Sequence, residues 1–468
     1  QNGNLHVVNS DGTPFANFPV NLGSNISSAV AVGDLTGDGF KEIVVADEGG
    51  YINAVDYQGT TILNYNAGGI FKGNPIIADV DGNGTMEIVA TTFSGNLAVV
   101  LNSDGSEFQN FPVTIPSGGT LASPAVGDLD GDGNLEIIVA SLSGAINAIS
   151  TASGENLANW PYATGTNTWK GPIVSNIDSD NDPEVLVATG NGKIVAINHD
   201  GSLVFERDTG EQIKTSIITG DLDSNGTQEI ISISTDGDVY VLDNQGNDFG
   251  NYPVDLNVTV ESSPILADLE GNGTANIIFG DNSGFLHALD LTGNDIDNFP
   301  IYLGSSNKVG PAIGDTDGDG DPEILLPNQN AYILIDFKQN VPDSRIQWAA
   351  FKRNARRTGN SFDPATGIDD NDLIPVFTDF LAQNYPNPFN PDTNISFSLQ
   401  EEGIIRLDVF NMKGQLVRSL VNEELPAGYH IVNWNGKDNE NKDVGSGIYL
   451  YKLNSKKFNS VKKMLLIK

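Results

Sequence analysis

The residues of this chain with the most to offer chemically are carboxylates set in a nine-residue pattern. Seven times between Asp34 and Glu323 the pattern D-x-D-x-D-G-x-x-E, or a near copy, recurs at intervals of 45 to 49 residues. The copies read DLTGDGFKE from Asp34, DVDGNGTME from Asp79, DLDGDGNLE from Asp128, NIDSDNDPE from Asn176, DLDSNGTQE from Asp221, DLEGNGTAN from Asp268 and DTDGDGDPE from Asp315. Side chains at positions 1, 3, 5 and 9 can converge on one cation, joined by a carbonyl from position 7, while Gly at position 6 permits a sharp turn. Hard oxygen ligands in a flexible loop suit Ca2+ better than Mg2+ or a transition metal. Each loop joins two strand-like runs and its Glu falls at 9 rather than 12, so it is not a helix–loop–helix calcium site. The competing reading is an Asp/Gly turn held by side-chain-to-backbone hydrogen bonds without metal. Against it, three or four converging carboxylates repel one another unless a cation neutralises them.

A second pattern is basic. Residues 1–337 contain only seven Lys or Arg, and four share one place in the repeat. Lys72, Lys214 and Lys308 each stand seven residues before the first Asp of their loop, and Lys170 stands six before Asn176. The equivalent residues elsewhere are Ser27, Leu121 and Glu261. With Phe71 and Trp169 beside two of them, the lysines are candidates for a cationic channel mouth that takes an anionic ligand such as an acidic glycan. The plainer alternative is that each Lys neutralises a nearby acidic loop.

These residues need a scaffold, and the repeat supplies one. Around Asp128, SPAVGDL (123–129), LEIIVAS (135–141), AINAIS (145–150) and ENLANWPY (155–162) read as four short strands. Four strands in a unit of about 45 residues describe a propeller blade, which buries its faces only against its neighbours. The third-strand element occurs eight times, the first as NLHVVNS from Asn4, whereas the acidic loop occurs seven times. Residues 1–20 therefore look like half a blade. They could complete the last blade of a seven-bladed ring, be the remnant of an eighth blade, or lie outside the ring. IQWAAF (346–351) is a candidate fourth strand for the last blade. The fold class is all-β: a seven-bladed, possibly eight-bladed, β-propeller at 1–359 that includes a closing segment at 338–359. A polar linker at 360–383 and a small immunoglobulin-like β-sandwich at 384–468 follow.

Charge narrows the partners. Residues 1–380 hold 13 Lys+Arg against 52 Asp+Glu, a net of −39, and 24 of those 52 carboxylates lie inside the seven loops. Residues 381–468 hold 11 against 9, a net of +2. A surface this acidic repels phosphates, so nucleic acid is excluded as a partner. No apolar run approaches the ~18 residues of a membrane helix. There is no Cys, which ordinarily suggests a reducing compartment, although calcium can staple an exported protein instead. No signal-peptide pattern opens the chain at Gln1, so removal or a fragment start is expected.

The acidic loops resemble the calcium-binding FG-GAP repeats of integrin α-subunit propellers and their bacterial relatives, over about residues 20–337. The resemblance implies several structural Ca2+ ions held by Asp34, Asp38 and Glu42; by Asp79, Asp81, Asn83 and Glu87; and by Asp128, Asp130, Asp132 and Glu136. It carries over to Asp178, Asp180 and Glu184; to Asp221, Asp223, Asn225 and Glu229; to Asp268 and Asn272; and to Asp315, Asp317, Asp319 and Glu323. Thr36 is a weaker ligand at position 3, and Asn176 and Asn181 replace Asp and Gly in the fourth loop. In the sixth, Glu270 is long for position 3 and Asn276 lacks the charge of Glu. The segment 338–359 carries six of the 13 basic residues of 1–380 and resembles a Trp-Phe-Arg-Thr-Gly segment that ends such bacterial propellers. It is expected to pack on the acidic ring and close it.

After the linker come NYPNPFNP (384–391), Gly414, Gly428, Trp434-Asn435-Gly436, Ser446-Gly447-Ile448-Tyr449 and the stretch Lys462–Lys468. These resemble the C-terminal sorting domain of the type IX secretion system. That implies the type IX machinery as partner, export across the outer membrane of a Gram-negative cell, and an extracellular or outer-surface location. His6, His199, His287 and His430 are scattered, and no zinc pair, nucleophile elbow or phosphate loop is present. The leading expectation is a non-enzymatic binding, adhesion or structural surface module whose partner is an acidic glycan or an extracellular matrix or surface protein. The alternatives are the non-catalytic region of a larger secreted hydrolase or peptidase, and a polysaccharide lyase.

Overall fold

In the computed structural model the chain is described except at residues 1–2, 10–12, 179, 181, 316–321, 328–331, 337–345, 351, 355, 361–379, 382–383, 385–386, 400–402, 426–427, 457 and 468. It divides into two compact units, Gln1–Asp369 and Asp370–Lys468. Most of the expected linker at 360–383 lies outside the described residues.

The first unit is built from repeated antiparallel sheets, one per acidic loop. Blade 3 shows the plan: Ala125–Gly127, Glu136–Ala140, Ala145–Ser150 and Tyr162–Ala163 pair in sequence order. Its second strand is buried along its whole length, as a strand covered on both faces by other blades must be. Blade faces meet closely. A Cβ on Gly127 would stand 2.7 Å from Val174 Cγ1 of blade 4, and one on Gly220 would stand 2.5 Å from Leu266 Cδ1 of blade 6.

The fourth strand is shorter than ENLANWPY suggested, being only Tyr162–Ala163 in blade 3. Its length follows an aromatic–proline pair. Blades 2, 3, 5 and 6 carry Phe111-Pro112, Trp160-Pro161, Tyr252-Pro253 and Phe299-Pro300 and have two-residue fourth strands. Blades 1 and 4 lack the proline, and their fourth strands, Thr61–Asn66 and Leu203–Asp208, run six residues. Proline has no N–H for the ladder, so pairing is limited to the residues beyond it.

Residues 3–22 form a hairpin, Asn4–Leu5 against Val20–Asn21, that contains the same aromatic–proline pair, Phe18-Pro19. Leu5 and Phe18 pack on Val45 and Val55 of blade 1. Among the described residues the hairpin does not pair with the third strand of blade 7, Tyr332–Asp336. It covers blade 1 as the back half of each blade covers the next.

The segment IQWAAF also departs from expectation. Ile346–Trp348 pairs antiparallel with Leu266 and Ala267 in the first strand of blade 6 and is not the fourth strand of blade 7. From there the chain runs through the channel lined by the first strands. Ala349 O accepts from Ile313 N of blade 7 (2.9 Å), and Arg356 O accepts from Ile77 N of blade 2 (3.1 Å). Thr358 O accepts from Val126 N of blade 3 (3.1 Å) and Gly359 O from Val174 N of blade 4 (2.8 Å). Gln347 Nε2 donates to Asp221 O at the end of the blade 5 first strand (2.7 Å), and Arg357 Nε to Val30 O of blade 1 (3.1 Å). One stretch thus touches all seven blades from the inside. The reason is simple: three-residue first strands leave inner-edge backbone groups that need partners. This segment, the stopper, gives carbonyl acceptors to blades 2, 3, 4 and 7 and side-chain donors to blades 1 and 5.

The stopper is cationic and buried. Trp348 and Lys352 have no exposed surface, and the Lys352 ammonium donates to Pro172 O. Burial pulls the Lys352 pKa down to about 7 and that of Arg357 down to about 10. Arg353 lies 5.6 Å over the Trp348 ring.

The second unit holds two sheets. One orders Phe380–Leu381, Thr393–Leu399 and Gly428–Trp434; the other orders Leu416–Leu425, Gly403–Asn411, Gly447–Asn454 and Asn459–Leu466. Phe389, Trp434, Tyr451 and Met464 lie in the core between them. The NYPNPFNP motif ties down the last strand: Phe389 N donates to Leu465 O (3.0 Å), Ile467 N to Phe389 O (2.9 Å) and Leu465 N to Asn387 Oδ1 (2.9 Å). No helix among the described residues is long and apolar enough to cross a membrane.

Candidate functional site

Each acidic loop follows the first strand of its blade, and its ninth residue opens the second strand. That residue pairs across the ladder with a small one: Gly33 with Glu42, Ala78 with Glu87, Gly127 with Glu136, Ser175 with Glu184, Gly220 with Glu229. The carboxylate then turns back under the loop. Its Oε2 accepts from the backbone N–H at position 2: Leu35 (2.9 Å), Val80 (3.0 Å), Leu129 (2.8 Å), Ile177 (2.9 Å) and Leu222 (2.9 Å). Sequence reasoning missed this backbone donor; its visible sign is the small residue before the first Asp.

The loop wraps the first Asp. In the third loop Asp128 Oδ1 accepts from Gly131 N (2.8 Å) and Oδ2 from Gly133 N (3.1 Å), while Asp132 Oδ1 accepts from Asn134 N (2.7 Å). Gly133, at position 6, has φ 89°, a conformation that glycine adopts without strain. Four loops bring three carboxylates together, with one oxygen of each lying within 4.8 Å of the others: Asp79, Asp81 and Glu87; Asp128, Asp130 and Glu136; Asp178, Asp180 and Glu184; Asp221, Asp223 and Glu229.

Two observations test whether a cation fits. Glu136 Oε1 and Glu184 Oε1 are buried with no hydrogen-bond partner, though Oε2 of each is satisfied. The buried Glu side chains are also held far from their ordinary acidity. Burial, reinforced by Asp130, Asp128 and Asp132, pushes Glu136 up to about 8. Burial and the neighbouring aspartates likewise push Glu87, Glu184 and Glu229 to about 7, and raise Glu42. An oxygen without a donor, among carboxylates that resist ionising together, is a cation environment.

The remaining loops differ in instructive ways. In the first, Thr36 stands where a carboxylate is needed, although Asp34 accepts from Gly37 N (2.7 Å) and Gly39 N (2.9 Å) just as Asp128 does from Gly131 N and Gly133 N. In the sixth, Asn276 Oδ1 reproduces the bond to Leu269 N (2.9 Å), but its Nδ2 is buried without a partner where Glu carries Oε1. A donor there opposes a cation, so the sixth loop, with Asp268 and Asn272, does not fit. In the seventh, Asp317 and Asp319 lie outside the described residues. Asn181 of the fourth loop does too.

The lysine set divides. Lys214 Nζ lies 3.2 Å from Glu261 Oε1 and Lys308 Nζ 2.9 Å from Glu261 Oε2. Trp169, Lys170, Lys214, Glu261 and Lys308 line one cavity of about 210 Å3. Lys214 and Lys308 thus pair with Glu261, which occupies the lysine position of blade 6. Their contact holds the Glu261 carboxyl below its ordinary range, Lys308 acting most strongly. Lys72 instead pairs with Glu48 in blade 1. Phe71 is no candidate: it is fully buried and bridges Thr92, the place Thr168 takes opposite Thr189 in blade 4. By that register Trp169 matches Lys72, which explains why Lys170 sits one residue late and why the indole faces outward, 39% exposed.

His287 is buried, with Nδ1 3.0 Å from Asp295 Oδ2 and Nε2 3.7 Å from Asp281 Oδ2, and it stacks on Phe279. It packs inside blade 6 and does not line the lysine cavity.

Residues 79–139 match the FG-GAP-like repeat, residues 184–256 the lambda-carrageenase beta-propeller domain, and residues 383–468 the secretion system C-terminal sorting domain. No curated protein matches the chain in sequence. Among solved structures, Sqt1 of Saccharomyces cerevisiae is similar at TM-score 0.55 and 13% identity, covering 71% of this chain and 89% of its own. BamB from Moraxella catarrhalis matches at TM-score 0.47 and 15% identity, covering 70% of this chain and 88% of its own. The chain is thus a repeat β-propeller followed by a sorting domain, and the protein is secreted.

Proposed function

We propose that this protein is a calcium-stiffened propeller serving as a binding, adhesion or structural module on the outer surface of a Gram-negative cell. The C-terminal domain delivers it through the type IX machinery. The observation that supports calcium most directly is the pair of buried, partnerless oxygens, Glu136 Oε1 and Glu184 Oε1, each within a triad of carboxylates. The groups that would hold the ions are Asp79, Asp81, Asn83 and Glu87; Asp128, Asp130, Asp132 and Glu136; Asp178, Asp180 and Glu184; and Asp221, Asp223, Asn225 and Glu229. Bound Ca2+ supplies the positive charge and accepts the six to eight oxygen ligands that such a flexible loop can offer. The chain's own residues do the rest: glycines at position 6 turn the loop, and the position-2 N–H orients the Glu. Each loop ties the first strand of a blade to the second, so a filled loop stiffens the pair that faces the channel. Carboxylates in this arrangement are structural.

The match of 184–256 to a propeller named for lambda-carrageenase favours a second reading, in which the same propeller is the accessory domain of a secreted glycan-degrading protein. The test of the main reading is titration of chelator-treated protein with Ca2+, by calorimetry and thermal melting. Four or more sites with a rising melting temperature are expected. Absence of heat together with an unmoved melt refutes it.

A further inference from the structure

We propose that the channel mouth on the face opposite the acidic loops binds an anionic glycan, with Lys170, Lys214 and Lys308 taking its charge and Trp169 its sugar face. This deepens the binding reading above and rests on it.

The placement follows from topology. Each acidic loop follows the first strand of its blade and each lysine precedes it, so the two sets lie at opposite ends of that strand. Lys170, Lys214 and Lys308 come from blades 4, 5 and 7 and meet around the one carboxylate that blade 6 contributes, Glu261. Three ammonium groups and one carboxylate line this cavity, within a stretch (1–380) of net charge −39. Glu261 accepts from both Lys214 and Lys308. Burial lowers the pKa of Lys170 against the pull of Glu261, and a partly desolvated ammonium gains most from an added anion.

Trp169 selects the kind of anion. Its Nε1 lies 3.2 Å from where a Cβ on Gly190 would stand, so glycine lets the indole lie against the backbone of blade 4. An aromatic face beside ammonium groups matches a pyranose that presents C–H bonds on one side and a carboxylate or sulfate on the other. An acidic peptide would use the lysines and leave the indole idle. A second cavity, of about 240 Å3, shares Lys170 and Lys308 and reaches Ser27, Asn74 and Arg357 of the stopper. Each cavity is below the ~300 Å3 of a drug-sized pocket. Two joined through shared lysines suit successive residues of a chain, entering from one face because the stopper fills the channel.

The test uses the full calcium-loaded chain, calorimetry, and four probes: an oligouronate, a sulfated galactan oligosaccharide, a neutral galactan of equal length, and polyglutamate. Support requires binding of at least one charged glycan, at least about tenfold tighter than the neutral galactan and polyglutamate. The two charged glycans tell carboxylate from sulfate recognition. Lys170→Met with Lys214→Met should weaken binding at least about tenfold, and Trp169→Ala should weaken the glycan alone. Glu261→Gln should tighten binding severalfold by removing the internal competitor, and it remains decisive if the lysine variant fails to fold. Failure of both charged glycans to bind, equal binding of the neutral galactan or polyglutamate, or weaker binding by Glu261→Gln overturns the proposal. A calcium-dependent melt that persists while glycan binding is absent sinks this site and leaves the wider reading standing.

Discussion

Glu136→Gln should stabilise the protein without calcium and remove one ion's share of the stabilisation with it. Glu136 has no exposed surface, and burial among Asp128, Asp130 and Asp132 moves its pKa from 4.5 to about 8. At pH 7 the unfolded chain therefore carries this carboxylate ionised, while the calcium-free fold holds it mostly protonated. At about 1.4 kcal/mol per pH unit, the interval from 4.5 to 7 amounts to ~3 kcal/mol lost to the fold, as an upper figure. Gln keeps the acceptor for Leu129 N, as Asn276 does for Leu269 N, and has no charge to suppress. An ion bound only by the folded state adds about 2.7 kcal/mol at 100 times its Kd and about 4.1 at 1,000 times. Wild type and variant should therefore be nearly equal near 100 times Kd, with the variant ahead in chelator and the wild type ahead at higher calcium. The assay is urea unfolding at pH 7 across a calcium series, with calorimetry showing one site fewer. The pH dependence has a definite sign. In chelator the fold binds more protons than the unfolded chain between pH 4.5 and about 8, so stability falls as pH rises through that window, less steeply in the variant. Equal destabilisation with and without calcium, or an undiminished calcium increment, refutes the reasoning.

Asn276→Glu should create a site in the sixth loop by exchanging the partnerless Nδ2 for an oxygen, seen as one added calcium equivalent in calorimetry. Lys352→Met should flatten a slope at the alkaline side. Between its folded pKa of about 7 and the ordinary 10.5 the unfolded chain binds more protons, so wild-type stability rises with pH by at most about 1.4 kcal/mol per unit, readable in urea melts from pH 7 to 9.5. Gly127→Ala places a Cβ 2.7 Å from Val174 Cγ1 and should cost about 1–3 kcal/mol of unfolding free energy.

The repeat made the blades legible because spacing and alternation are properties of adjacent residues. The first three strands of SPAVGDL–LEIIVAS–AINAIS stand where the pattern puts them. The fourth was read too long because the apolar pattern continues through Trp160-Pro161, while proline's missing N–H postpones pairing. The path of the stopper along the first strands was illegible for a different reason. Residues 346–360 have no period of their own, since their carbonyls, side-chain donors and one strand pairing answer to seven blades whose first strands are spread along more than 280 residues. The carboxylate triads were visible, but the position-2 donor was not, because a backbone N–H leaves no mark on residue identity. The lysines were found by register counting, which cannot tell inward from outward. The one-residue offset at Lys170 hid that Phe71 aligns with the buried Thr168 and that only Trp169 faces solvent.

Opposite ends of a three-residue strand hold opposite kinds of charge, and the distance matters. Such a strand spans about 10 Å, close to the Debye length at 0.1 M salt. The acidic loops are thus near enough for a bound cation to brace the strands around the channel, while salt weakens their field at the lysine mouth. On the readings proposed above, cations would neutralise one face and an anion held by the three ammonium groups the other. The stopper makes this division workable. Its carbonyls and side-chain donors partner the inner edges, and its half-buried Arg357 places positive charge at the cavity beside the mouth. An anion at the mouth therefore meets a closed, cationic floor in place of a pore opening onto the acidic side, which is the arrangement a one-sided binding face requires.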